Sequence, residues 1–274
     1  MRLLFLGDVV GRAGREVISS QLPRLKERYD LDFVIVNGEN AAGGHGITEK
    51  IYQEFRDAGA DVVTTGNHVW DQREALIFIE REPRLLRPLN YPAGTPGKGC
   101  GLFEAGNGAQ VLVINAMGRV FMNDLDCPFL AVEREIEMCG LKEVADVIFI
   151  DFHAEATSEK QAFAHYFDGR TTCIVGTHTH VPTSDYRVLN GGTGYMSDVG
   201  MCGDYDSVLG MEKDEPVQRF ISRIPSGRFQ PSLGAPTLCG LAIEVDDATG
   251  LVKDIEPVRL GGCLKSTEPD FWVK

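Results

Sequence analysis

The sequence predicts an α/β protein built on a largely parallel β-sheet, and three observations predict it. Short, uninterrupted apolar runs recur along the 274 residues, and runs of this kind suit strands buried on both faces. Segments with helical spacing lie between several of them, the alternation expected of an α/β fold. Each run also gives way to Gly, Asn, Asp or His, at the strand end where open α/β sheets bind their ligands.

Arg2–Leu6 is the first predicted strand and leads into Gly7-Asp8. Val17, Ile18, Leu22 and Leu25 place a helix after that loop, with Pro23 disturbing its backbone bonding. Phe33–Val36 is the second strand, before Asn37-Gly38-Glu39-Asn40. Ile51, Phe55 and Ala58 share one helix face, and Gly59 stops that helix. Val62 and Val63, with Thr64 and Thr65, form a strand before Gly66-Asn67-His68. Val111–Ile114 forms another, and Val147–Ile150 a further one before Asp151-Phe152-His153. Ser158 and Gln161 read as a capping box for a helix over 158–168 that Gly169 closes. Cys173–Val175 then runs into Gly176-Thr177-His178-Thr179-His180. Residues 183–235, rich in Gly, Asp, Ser and Pro, read as a long irregular segment. Leu241, Ile243 and Val245 alternate, Asp246-Asp247-Ala248-Thr249-Gly250 turns, and Leu251–Ile255 resumes. That is a β-hairpin, expected in a second sheet packed on the first. No internal repeat or low-complexity tract divides the chain, so a single domain over 1–274 is expected.

Composition narrows the function classes. The 43% hydrophobic content is enough for a full core, yet no apolar run approaches the ~20 residues that span a bilayer. Leu3–Leu6 is too short for a secretory core and Asp8 interrupts the apolar stretch beyond it, so a cytoplasmic location is expected. The seven cysteines are Cys100, Cys127, Cys139, Cys173, Cys202, Cys239 and Cys263. They are odd in number and scattered without a C-x-x-C pair, which argues against a disulfide framework and a thiolate zinc site. A net charge of −13 disfavours duplex nucleic acid and anionic membranes as partners, because both are held by clustered Lys and Arg. An anionic substrate then needs positive charge supplied locally. The oligomeric state stays open, a homo-oligomer included.

Five predicted strands deliver metal-capable side chains at their carboxyl ends: Asp8, then Glu39 and Asn40, then Asn67, then His153, then His178 and His180. If those strands share a sheet, the seven side chains converge. His178 and His180 alternate along an extended chain and so point to one face. Oxygen and imidazole donors suit Fe, Mn, Zn or Co better than Mg or Ca, and the lack of thiolates disfavours soft metals. Seven ligands exceed what one ion needs in an open site; they fit two ions sharing a carboxylate at the ~3.5–4 Å spacing of two-metal hydrolases. The spacing of Gly7, Gly11 and Gly14 is not G-x-G-x-x-G, and G-K-[ST] is absent, which excludes the dinucleotide and P-loop readings.

In this order, Gly7-Asp8, Gly38-Glu39-Asn40, Gly66-Asn67-His68, His153 and Gly176-Thr177-His178-Thr179-His180 resemble the calcineurin-like metallophosphoesterases. More narrowly they resemble the YmdB-like group of bacterial phosphodiesterases. The likeness runs through GDVVGRAGR, NGENAAGGHGIT, TTGNHVWD, DFHAEATSEK and VGTHTHVPT to GTGYMSDVGMCG, up to about residue 212. The wider superfamily opens with Asp-x-His and has Asp at the second motif; here Asp8-Val9-Val10 and Glu39 stand instead, as in the YmdB-like group. The resemblance implies a four-layer α/β/β/α sandwich with two mixed sheets. It implies that Asp8, Glu39, Asn40 and His180 hold one metal and that Glu39, Asn67, His153 and His178 hold the other, Glu39 bridging. It further implies a metal-bridging hydroxide as nucleophile, His68 as general acid, an iron or manganese centre with zinc as a further choice, and 2′,3′-cyclic nucleotides as substrates. A phosphomonoesterase, a protein phosphatase and a regulatory nucleotide sensor are the competing functions.

Other polar residues take blander readings. His68 is also placed to be a structural partner of Asp71. His165 reads as an ordinary helix-face residue, and Arg12 and Arg15 as a solvated helix start. His45 sits in a glycine-rich loop near the second motif, within reach of substrate, and Asp198 is expected to shape the pocket rim.

Overall fold

Strand alternation sets the layering. In the computed structural model, which describes residues 1–272, the chain begins with β1 (Arg2–Leu6), β2 (Asp8–Val9), α1 (Gly11–Tyr29), β3 (Phe33–Asn37), α2 (Glu49–Ala58), β4 (Val62–Thr64), α3 (Ala75–Phe78) and β5 (Leu85–Leu86). It continues through β6 (Cys100–Glu104), β7 (Gln110–Met117), α4 (Pro128–Met138), β8 (Val147–His153), α5 (Thr157–Phe167) and β9 (Cys173–Thr177). The last part contains β10 (Arg187–Val188), β11 (Gly194–Met196), β12 (Met201–Asp204), α6 (Asp214–Ser222), β13 (Pro236–Val245) and β14 (Val252–Gly261). Leu4 and Leu6 of β1, like Val34 and Val36 of β3, pack with Ile18, Leu22 and Phe55 of α1 and α2. Leu3 and Phe5, like Phe33 and Ile35, point the other way and meet Val113, Phe149 and Val175 of the second sheet. On that sheet's outer face Ile148, Ile150 and Phe152 pack against Val132 of α4 and Phe163 of α5. Period-2 strands with apolar residues on both faces thus produce three apolar layers and an α/β/β/α sandwich.

Both sheets are mixed. The first runs β2-β12-β13-β1-β3-β4-β5, with β14 added on β13; β1, β3, β4 and β5 are parallel. The second runs β10-β11-β9-β8-β7-β6, parallel from β11 to β7 with antiparallel edges. Local signals hold at α2: Thr48 caps it by accepting from the Ile51 N–H, and Gly59 ends it at φ 108°. α1 continues through Pro23, whose neighbours Leu22 and Leu25 stay buried in the core.

The sequence reading is corrected at several points. The predicted hairpin forms as β13–β14, but β13 pairs antiparallel with β1 and belongs to the first sheet. Leu241 and Ile243 do line the space between the sheets, which is why their pattern alone did not say which sheet they join. The strands that end near Asp8, Glu39 and Asn67 lie in one sheet, and those that end near His153 and His178 lie in the other. The Ser158 capping box does not form: α5 begins after Ala156 with no side-chain cap. Residues 183–235 are less irregular than expected, holding β10, β11, β12 and α6. His165 is exposed on α5, as anticipated.

The inter-sheet layer carries a direct test. The Phe5 ring is fully buried, 5.2 Å from that of Phe149 across the two sheets. Phe5→Ala is expected to lower unfolding stability in urea by about 3–5 kcal/mol; a loss under about 1 kcal/mol would show that the sheets do not depend on this contact.

Candidate metal centre

Asp8 begins β2 directly beyond β1, Glu39 and Asn40 lie just beyond β3, and Asn67 and His68 lie beyond β4. His153 is the last residue of β8, and His178 to His180 follow β9. The carboxyl ends of both sheets face the same place, so seven side chains from two layers meet there. Glu39 Oε2 lies 3.3 Å from His153 Nε2. Asn67 Oδ1 is 2.9 Å and His178 Nδ1 3.1 Å from that nitrogen. These separations are edge lengths of a coordination shell whose bonds measure about 2.1 Å. On the other side Asn40 Nδ2 lies 3.0 Å from Glu39 Oε1 and 2.9 Å from His180 Nε2. Donor atoms of Glu39, His153 and His178 lie within 4.8 Å of one another, and so do those of Asp8, Glu39 and His180. Glu39 belongs to both groups.

Each imidazole is oriented from behind. Thr177 Oγ1 donates to Asp151 Oδ1 at 2.7 Å, so it accepts from His153 Nδ1–H at 2.9 Å. His180 Nδ1–H donates to the Leu209 carbonyl at 3.0 Å. His178 Nε2 faces Glu155 Oε2 at 3.2 Å. In every case an outward acceptor receives one N–H, so that the other nitrogen faces the cluster and, in the neutral ring, offers it the lone pair a metal requires. Asp151, fully buried, also accepts from Thr64 Oγ1 and Asn37 Nδ2. Asp151, Thr177 and Glu155 stood inside the family-like motifs without being singled out; the Leu209 carbonyl left no side-chain signal to find. Gly66 is required by space, since a Cβ there would come within 2.2 Å of Glu39 Oε2 and 2.4 Å of His153 Nε2.

The electrostatics of the bare cluster are frustrated. Asp8 and Glu39 are both fully buried. Burial pushes the Asp8 carboxyl well above its usual range. Burial also opposes the charge on Glu39, but His153, His68 and His178 outweigh it and hold that carboxylate at about 2. For His153 the order is similar: burial disfavours its charge, and Glu39, Asp8 and Asp151 raise it to about 9. Burial and the neighbouring His153 charge push His178 down to about 3, and burial lowers His180. Asp8 Oδ1 and Asn40 Oδ1 are buried with no hydrogen-bond partner. Two orphaned oxygens beside converging lone pairs fit a divalent cation.

Two expectations about neighbouring residues change. His178 and His180 do not lie along an extended strand: their φ angles are 97° and 64°, and they turn to different donor groups. Asp198 is not at a rim but buried against Lys160 and Thr179. His68 sits beside the cluster, its backbone N–H 3.3 Å from Glu39 Oε2 and its Nδ1 2.8 Å from Asp71 Oδ2. His45 lies over it, ring centroids 4.9 Å apart. Arg12 and Arg15 pair with Glu16 and Glu54.

Residues 4–258 match the family model described as YmdB-like protein, a longer stretch than the motifs alone covered. Over 260 residues, 95% of this chain and 97% of the other, the chain is 49% identical to 2′,3′-cyclic-nucleotide 2′-phosphodiesterase of Bacillus subtilis. A hypothetical protein from Thermus thermophilus superposes with a TM-score of 0.89 at 43% identity, over 96% of this chain and all of that one. The calcineurin-like phosphoesterase YfkN from Bacillus subtilis shares the fold at a TM-score of 0.57 and 13% identity, over 94% of this chain and 90% of its own. The chain belongs to the YmdB-like protein family and has the calcineurin-like phosphoesterase fold.

Proposed function

We propose that the chain is a metal-dependent phosphodiesterase that hydrolyses 2′,3′-cyclic nucleotides on a dinuclear centre. The chain is a phosphoric ester hydrolase. The observation that carries the proposal is the sharing of Glu39 between two donor groups, one of them beside the orphaned buried oxygens of Asp8 and Asn40. We assign Asp8, Glu39, Asn40 and His180 to one ion and Glu39, Asn67, His153 and His178 to the other. The thiolate-free donor set fits iron, manganese or zinc, and iron is our first choice. When bound, two such ions would supply an activated water as nucleophile at neutral pH and positive charge for the phosphoryl oxygens.

The remaining work falls to side chains. Asp71 holds His68 by Nδ1, so Nε2 is left to face a substrate bound over the cluster. His68 then protonates the leaving oxygen as general acid. The similarity to an enzyme named for 2′,3′-cyclic nucleotides supports that substrate class. We read residues 1–274 as one domain, because the donors are drawn from both sheets. Seven free cysteines support a reducing, cytoplasmic compartment, and among the described residues no helix is long and apolar enough to cross a membrane.

Three outcomes are expected. Glu39→Ala should lose metal at both positions by elemental analysis, since one carboxylate serves two ions; near-full metal content would refute the bridging role. His68→Ala should keep both ions while kcat on bis-p-nitrophenyl phosphate falls by about 10²–10⁴-fold, and faster turnover of p-nitrophenyl phosphate by the wild type would favour a phosphomonoesterase. His153 is charged below about 9 in the metal-free chain, and a metal needs its neutral form. Metal uptake at pH 7 should therefore release protons, and affinity should rise from about pH 6 to about pH 8; calorimetric enthalpies that do not change with the buffer's ionisation enthalpy would contradict this.

A further inference from the structure

Lys160 on α5 and Asp198 between β11 and β12 form an ion pair outside the donor cluster, 2.9 Å from Nζ to Oδ2, with both side chains 1% exposed. Burying two charges costs desolvation, and such a pair adds little stability by itself. Its role lies in what it holds. Asp198 Oδ2 also accepts from the Thr179 N–H at 3.0 Å and from Thr179 Oγ1 at 2.7 Å, and Oδ1 accepts from the Gly200 N–H at 2.9 Å. Thr179 stands between His178 and His180, both in left-handed backbone conformations. Non-glycine residues persist there only when their surroundings impose it. The segment bearing Asp198 presses directly on β9: a Cβ at Gly176 would lie 1.8 Å from the Ser197 carbonyl oxygen and 2.9 Å from Lys160 Cδ.

We propose that Lys160 and Asp198 are positioning residues that clamp Thr179, so that His178 turns to one donor group and His180 to the other. This rests on the dinuclear reading above. Lys160 faces the Asp198 carboxylate, whose two oxygens serve only as acceptors in these contacts. Both carboxylate oxygens accept from backbone N–H groups, so an asparagine would aim its own N–H₂ at one of them. Thr179→Val removes a single hydroxyl bond and leaves both charges paired, which makes it the mild variant.

The test is Mn²⁺ titration of the full chain after metal removal, by chelator competition, for wild type, Thr179→Val, Asp198→Asn, Lys160→Met and Lys160→Arg, with Tm measured alongside. Wild type is expected to take up two ions. Thr179→Val should keep a wild-type Tm yet bind Mn²⁺ about 10-fold more weakly, and Asp198→Asn and Lys160→Met about 10–100-fold more weakly. Lys160→Arg should restore part of the loss. At limiting Mn²⁺ the variants' kcat on bis-p-nitrophenyl phosphate should fall and recover with excess Mn²⁺, while KM changes little. Wild-type Mn²⁺ affinity in folded Thr179→Val and Asp198→Asn would overturn the clamp and leave the dinuclear reading standing. If Asp198→Asn does not fold, Thr179→Val decides alone. Wild type that takes up no Mn²⁺ would overturn that reading and the clamp with it.

Discussion

Two carboxylates, Asp8 and Glu39, are buried beside three imidazoles, with no lysine or arginine among the seven donors. Charges are not placed in a protein interior without a compensating partner. In the bare chain part of that compensation is the proton that Glu39 and its neighbours hold on His153. The surrounding architecture serves this arrangement. Thr177, Glu155 and the Leu209 carbonyl each accept a hydrogen bond from the outward nitrogen of one imidazole, and Gly66 leaves the space in which the donors meet.

Most of the donor set was legible because it sits where general topology says ligands bind, at strand carboxyl ends. Asp8, Glu39, Asn67 and His153 each follow a run of buried aliphatic residues, a pattern visible in one sequence. The two-sheet architecture was less legible. Val34 and Val147 look alike in a sequence, since both belong to strands buried on two faces, yet one faces the helices and the other the facing sheet. Periodicity reports burial and is silent about which layer does the burying. For the same reason the β13–β14 hairpin was recognised but placed in the wrong sheet.

Backbone conformation was the other blind spot. An H-x-H pair reads as two side chains on one face of a strand, but that inference assumes extended φ. The left-handed angles at His178 and His180 occur where the segment is hydrogen-bonded by Asp198, Tyr205 and Asp8, residues distant in the chain. Local propensity opposes the conformation, so a local reading could not reach it. Lys160 in a predicted helix and Asp198 in a glycine-rich segment carried no joint signal until the fold placed them 2.9 Å apart.

The division of donors between two stacked layers has a mechanical consequence. In the proposed dinuclear site, ions would tie the two sheets together at one end, beside the hydrogen bonds that Asp151 accepts from Thr64 and Asn37, while the layer further in is filled mainly by aliphatic and aromatic side chains. A small shear between the layers moves Asp8 and Asn67 relative to His153 and His178, and coordination tolerates little such error. A packing fault far down the interlayer is therefore expected to disturb the donor geometry before it unfolds the chain.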